Sequence, residues 1–121
     1  MKKRFIAVLS AALLASMAFA GTAGATHGGP QPHTIKILRF SYYPSTIEVH
    51  PGDSIDVVNV DGQRHGVPHS VTSIKGYFDT GLFTDGTEVI TAPDTKGRYK
   101  FYCQEHPFMI GYVKVVGVYG D

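Results

Sequence analysis

The chain has 121 residues and a mass of 13.1 kDa, which leaves room for one hydrophobic core and excludes a multidomain enzyme. Eleven Lys and Arg against ten Asp and Glu give a formal charge of +1, so the chain lacks the cationic excess of a nucleic-acid-binding protein. The single cysteine excludes an internal disulfide and a four-thiolate zinc or iron–sulfur site within one chain.

The first 20 residues have the pattern of a secretory signal peptide. Lys2, Lys3 and Arg4 precede an apolar run over residues 5–20, which passes into small residues of the A-x-A type. Because this run is shorter than a membrane span, we expect cleavage after residue 20 or 25 and no stable membrane insertion. Cleavage leaves 8 basic and 10 acidic side chains. We expect a periplasmic protein, with extracellular release as the alternative.

Residues 21–33 are Gly, Pro and small polar residues without hydrophobic periodicity, so we expect a flexible N-terminal arm. The arm carries His27 and His33, and imidazoles are common metal ligands. Residues 34–121 are then the folded domain.

The domain alternates short β-branched and aromatic runs with turn residues, which predicts an all-β fold. No stretch after residue 40 shows a convincing helical period. Along the predicted strands, Ile35, Ile37, Ile55 and Val57 fall on inward positions. Runs at this spacing predict a sandwich of two small sheets with about seven to eight strands. The predicted strands are 34–40, 46–49, 54–60, 69–73, 88–91, 98–102 and 111–118.

Three metal-binding side chains, Cys103, His106 and Met109, fall within seven residues. After signal cleavage they include the only Cys and the only Met, each three residues from His106. Thiolate and thioether ligands select copper over hard cations, and two His with one Cys and a weak axial Met form copper electron-transfer sites. His69, at the start of a predicted strand, is the best candidate for the second histidine.

Two other chemistries use part of this set. A zinc site would give Met109 no role, because Met is a poor zinc ligand. It would also lack a second thiolate or carboxylate. A Cys–His nucleophilic pair leaves both Met109 and His69 unexplained. Copper is the one reading that uses all four side chains.

Three segments carry a resemblance to the cupredoxins, the small blue copper proteins. Residues 68–71 read Pro-His-Ser-Val, residues 78–82 read Phe-Asp-Thr-Gly-Leu, and residues 99–113 hold Tyr-x-Phe-x-Cys-x-x-His-Pro-x-Met-x-Gly-x-Val. The likeness covers residues 34–118. The short Cys-x-x-His-x-x-Met loop is most similar to the amicyanin branch, because the plastocyanin and pseudoazurin branches have a longer gap before Met.

The resemblance implies a Greek-key β-sandwich and assigns roles to individual residues. It implies that the backbone N–H of Ser70 donates to the Cys103 sulfur and that Asn59 ties the two ligand loops together. It implies four copper ligands: His69, Cys103, His106 and Met109. Around His106, the expected electron port, a small apolar partner surface is formed by Val67, Pro68, Pro107 and Phe108.

Two functions follow as hypotheses. The first is a monomeric type 1 copper protein, not an enzyme, that carries single electrons between redox proteins such as a c-type cytochrome, an oxidase or a dehydrogenase. The second is a copper-tolerance protein on the same fold. That hypothesis adds a further copper site made by His27, His33 and His65.

Overall fold

The computed structural model describes residues 31–118. The predicted signal peptide and His27 lie outside the described residues. Across this part of the chain, no helix is both long enough and apolar enough to cross a membrane.

The described residues form eight strands and one short helix. Alternating β-branched and polar residues produce the strands, whose inward positions are buried and whose outward positions are exposed. In chain order the elements are β1 (His33–Leu38), β2 (Ser41–Tyr43), β3 (Thr46–Val49), β4 (Ser54–Asn59), α1 (Val60–His65), β5 (Thr72–Ser73), β6 (Thr87–Thr91), β7 (Gly97–Tyr102) and β8 (Ile110–Val115).

The strands form two four-stranded mixed sheets, with orders β2-β1-β4-β6 and β3-β8-β7-β5. The β1–β4 and β3–β8 pairs are parallel and the other pairs are antiparallel. The predicted all-β class and strand number are confirmed.

The core lies between the two sheets. Ile35, Ile37, Ile55 and Val57 of the first sheet are fully buried, as their alternation predicts. Across the core, the ring of Phe101 in β7 is fully buried. Cys103 follows Phe101 by two residues and is also fully buried, so its sulfur lies in the apolar interior.

The segment before His69 differs from the prediction. Residues 60–65 form α1, whose N-cap Asn59 accepts a hydrogen bond from the Gly62 N–H at 2.7 Å. The helix ends at Gly66, whose φ of 69° lies in the left-handed region. A six-residue helix is too short to show a period in sequence, so the sequence did not predict it.

Two strand assignments also differ. The run over residues 69–73 pairs as a strand only at Thr72–Ser73, and Ser41–Tyr43 forms a strand that the sequence did not predict. Both strands are too short for alternation to identify them.

Position 111 in β8 requires a glycine, because the ring of Phe101 in β7 lies directly against its backbone. A Cβ at this position would overlap the ring of Phe101 and lie 2.8 Å from the carbonyl oxygen of Ser45. We therefore expect Gly111→Ala to lower the free energy of unfolding by about 1–3 kcal/mol, measured by chemical denaturation. In a Phe101→Leu background the added methyl has more room, so the double variant should lose less than the sum of the two single variants. Additive losses would contradict this account.

Candidate metal centre

Cys103 lies directly after β7, and the loop from Cys103 to β8 carries His106 and Met109. Two backbone hydrogen bonds close this loop. The Met109 N–H donates to the His106 carbonyl at 2.9 Å, and the Cys103 N–H donates to the Met109 carbonyl at 3.3 Å. Because the loop folds back on itself, all three side chains are held at one end of the sandwich, and Met109 is buried there.

His69 reaches the same end from the segment between α1 and β5. Its backbone exchanges two hydrogen bonds with Phe83, at 3.2 and 3.0 Å. The amide of Asn59 donates to the carbonyls of Phe83 and Val67, at 2.7 and 2.9 Å. His69 is therefore fixed by a backbone bridge, although the predicted strand around it does not form.

The Nδ1 atoms of both histidines and the sulfur of Cys103 form a small triangle. Cys103 Sγ lies 3.7 Å from His69 Nδ1 and 3.4 Å from His106 Nδ1, and the two nitrogens are 3.2 Å apart. A metal at the centre of this triangle would lie about 2.0 Å from each atom, which is an ordinary metal–ligand bond length. Among the described residues, this group of potential metal ligands is the one whose donor atoms converge.

The orientation of His69 is set by a buried carboxylate. Nε2 of His69 lies 2.8 Å from Asp61 Oδ2. Burial alone would raise the pKa of Asp61, but the N–H groups of Phe40 and Arg39 and the His69 ring outweigh it and keep the pKa below its usual value. An ionised carboxylate only accepts, so we assign the ring proton to Nε2. Nδ1 then presents a free lone pair to the triangle.

Burial also keeps His69 neutral. Desolvation lowers the pKa of His69, and the neighbouring His106 lowers it further, whereas Asp61 opposes the shift. The charged form of a buried imidazole is disfavoured, so the ring is poised to bind a metal.

The two histidines, the buried cysteine and the adjacent buried methionine form a soft donor set that fits copper. A family profile for the cupredoxin-like domain matches residues 6–115. The chain belongs to the cupredoxin-like family. No curated protein matches its sequence significantly.

Solved amicyanin structures resemble this cupredoxin in fold. The reduced Cu(I) form of a proline-to-glycine variant at pH 4 is 23% identical, with a TM-score of 0.60 over 78% of this chain and 90% of that one. An oxidised methionine-to-leucine variant is 22% identical, with a TM-score of 0.58 over 69% and 81%. A Cu(I) methionine-to-alanine variant is 22% identical, with a TM-score of 0.60 over 70% and 82%.

Asp61 also organises the outer wall of the cupredoxin site. Its carboxylate accepts hydrogen bonds from the N–H groups of Arg39 and Phe40, at 2.8 and 3.0 Å. Both residues have left-handed backbones, with φ of 53° and 58°, which a side chain normally disfavours. The turn they form places the Phe40 ring edge-to-face on His69 and His106, with centroids 5.2 and 4.9 Å away.

Ser70 joins the two ligand loops through its side chain. The Gln104 N–H donates to Ser70 Oγ at 2.9 Å, and the Tyr42 hydroxyl donates to the Ser70 carbonyl at 2.6 Å. Burial raises the pKa of Tyr42, and the nearby Cys103 raises it further, so the phenol stays a donor. Donation from the Ser70 N–H to the cysteine sulfur stays a prediction. Asn59 secures the His69 segment through Val67 and Phe83.

The expected partner surface lies at the site end of the molecule. Phe108 is 71% exposed, Pro107 is exposed, and Val67 and Pro68 are half-buried. Phe40, which the sequence did not suggest for this surface, lies 6.4 Å from Phe108 between ring centroids and is 40% exposed.

The structure does not bring together the histidines proposed for extra copper. His33 begins β1, and its Nε2 lies 2.8 Å from the buried Asp53. His65 is exposed at the last turn of α1, which follows Asn59 at the opposite end of the β1–β4 pair. Some four strand residues, about 13 Å, separate His33 from the level of Asn59, where α1 begins. The described residues therefore give no support to a joint site, and His27 lies outside them.

Sequence reasoning missed Asp61 and Phe40. Asp61 precedes His69 by eight residues, and Phe40 is 29 residues away. Neither spacing is typical of a local contact, and both contacts depend on how the first sheet ends beside the ligand loops. A single sequence carries no signal for them.

We expect Asp61→Asn to destabilise the metal-free protein. The amide replaces an oxygen acceptor with a donor that faces the N–H groups of Arg39 and Phe40 and the His69 ring. The free energy of unfolding should fall by about 1–3 kcal/mol because buried donors lose their acceptor. Urea denaturation measures this, with Asp85→Asn, an exposed carboxylate, as the control. Equal losses in the two variants would show that Asp61 does not organise the site.

Proposed function

We propose that this cupredoxin is an exported type 1 copper protein that carries single electrons between redox partners. The observation that carries the proposal is the triangle of three donor atoms, 3.2–3.7 Å apart, at a site whose cysteine and first histidine are fully buried. Copper bound there would supply a one-electron Cu(I)/Cu(II) couple.

The described residues suit a carrier better than a catalyst. The donors come from two loops that hydrogen bonds already lock in place, so a change of oxidation state requires little movement of the protein. Phe40 packs against both imidazoles and keeps water from them on that side. Four protein donors leave no open position for a substrate, as a hydrolytic or oxidase centre would require.

His106 is the proposed electron port. Of the two ligand histidines, His69 is fully buried and His106 is half-buried. The exposed Pro107 and Phe108 flank His106 and form an apolar surface on which a partner can dock. Contact over such a small surface is weak and brief, which suits an electron shuttle.

Loading the protein with Cu(II) tests the site. We expect one copper per chain and an intense visible thiolate-to-copper charge-transfer band, because the Cys103 sulfur and the two imidazoles would hold the copper together. Absorption spectroscopy with metal analysis measures both. Cys103→Ser should abolish the band, and His65→Ala, an exposed histidine outside the triangle, should leave band and stoichiometry unchanged.

Other results would contradict the proposed electron-carrier function. A protein that binds copper without a Cys103-dependent band does not have this site. A second copper that disappears with His33→Ala or with deletion of residues 21–32 would instead favour the copper-tolerance hypothesis. Cyclic voltammetry of the loaded protein completes the test, since an electron carrier must show a reversible one-electron couple.

Export is part of the proposal and has its own test. Expression of the full chain in a Gram-negative host, followed by fractionation and intact mass spectrometry, should yield a periplasmic protein that begins after residue 20 or 25. A cytoplasmic or membrane-bound protein that retains Lys2, Lys3 and Arg4 would contradict export. That result would reject export without bearing on the proposed copper site.

A further inference from the structure

The outer face of the second sheet collects most of the positive charge of the described domain. Residues 31–118 contain eight Lys and Arg and nine Asp and Glu side chains. Five of these eight cations are exposed on this face or at its rim, which we name the cationic face. Its members are Lys75, Lys96, Arg98, Lys100 and Lys114.

Acidic side chains are scarce on the same face. Within the described strands of this sheet, Glu48 is the single acid, and its carboxylate lies 3.5 Å from the ammonium of Lys114. Three further exposed acids lie at the rim: Asp79 is bridged to Thr72 at the edge of β5, and Asp94 and Glu105 lie in the loops at the two ends of β7. In the strands three cations stand against one acid, and with the rim counted five stand against four. The face therefore keeps a small excess of positive charge, whereas the described domain as a whole has eight cations and nine acids.

The strand register places like charges together. Arg98 of β7 is directly opposite Lys114 of β8, an arrangement that costs stability in a sheet. Glu48 and the ring of Tyr112, which lies 4.1 Å from the Arg98 guanidinium carbon, compensate only in part. An acidic surface docked on this face would offset the repulsion between the two cations.

Tyrosines accompany the cations. Beside the edge strand β5, a groove of about 370 Å³ is lined by residues that include Lys75, Lys100 and the rings of Tyr77 and Tyr99. These two rings meet edge-to-face with centroids 4.8 Å apart. Tyr and Arg are enriched at protein interfaces because they combine a large contact area with hydrogen bonding. The composition favours a protein partner over a lipid surface.

The cationic face continues to the copper end of the molecule. A second depression is lined by Lys100, Tyr102 and Pro107, together with Ile74 and Ile110. Pro107 is adjacent in sequence to His106, the proposed electron port. A partner held on the cationic face is thereby brought close to that port.

We propose that the cationic face binds an acidic redox protein and steers it to the His106 end of the molecule. This inference rests on the proposed electron-carrier function, and charge complementarity defines the partner. Opposite fields raise association rates at low ionic strength and lose this effect as salt screens them.

The test compares two charge reversals of equal size. Lys100→Glu lies on the outer face of β7, and Lys36→Glu, the control, is exposed in β1 of the other sheet. The reduced copper-loaded protein is mixed with an oxidised c-type cytochrome of acidic isoelectric point. At low salt, we expect Lys100→Glu to slow electron transfer about three-fold to ten-fold and Lys36→Glu less than about two-fold.

A second measurement does not depend on electron transfer. NMR titration of the isotope-labelled Cu(I) protein with the reduced cytochrome should shift amides of β7, β8 and Pro107's neighbours, and salt should reverse the shifts. Shifts confined to the other sheet, equal effects of both variants, or preference for a basic cytochrome would overturn the proposal. Binding to phosphatidylglycerol vesicles without binding to the acidic cytochrome would reassign the face to a lipid surface.

The experiments distinguish failure of the electron-carrier function from failure of the docking surface. If the copper band is absent, the electron-carrier function is rejected, yet the NMR titration of the metal-free protein still reports whether an acidic protein binds this face. If the copper band and the reversible couple are present and Lys100→Glu behaves as Lys36→Glu does, only the docking surface is rejected.

Discussion

The structure depends on holding two imidazole nitrogens and one sulfur within 3.7 Å of one another at a largely buried site. Polar atoms brought together in this way lose their hydration, so the groups around them must fix their orientation and protonation. Asp61 fixes both for His69, and the backbone hydrogen bonds of the loop from Cys103 to β8 fix the position of the other donors. A β-sandwich supplies the rigid ends on which such loops can rest.

Asp61 shows how one buried carboxylate serves several parts of the site. It fixes the His69 tautomer, and it satisfies two N–H groups in the left-handed turn that carries Phe40. Phe40 then covers both imidazoles. Ser70 provides the complementary link from the His69 loop to the loop of Cys103. The site is thus assembled by long-range side-chain-to-backbone contacts, which give it a defined shape before a metal binds.

The distribution of charge and apolar surface fits an electron carrier. In the proposed carrier, the apolar end around His106 would allow close and brief contact, whereas the cationic face of the second sheet would act at longer range through its charge. These tasks are separated in space, because charges at the contact itself would have to be desolvated in every encounter. Pro107 of the apolar surface lines the same depression as Lys100 of the cationic face, so the two surfaces are adjacent.

The sequence by itself determined the β class, four of the core positions and the chemical character of the ligand loop. Period-two alternation and the short spacing of Cys103, His106 and Met109 are local patterns that can be recognised in the sequence without knowledge of the fold. His69 was chosen from its position at the start of a predicted strand, and the resemblance implied the same ligand. Only the tertiary structure decided the roles of Asp61 and Phe40, the position of His33 against Asp53, and the gathering of cations on one face. Those contacts join residues far apart in the chain, and they depend on which strands pair. Composition and residue spacing do not reveal that pairing.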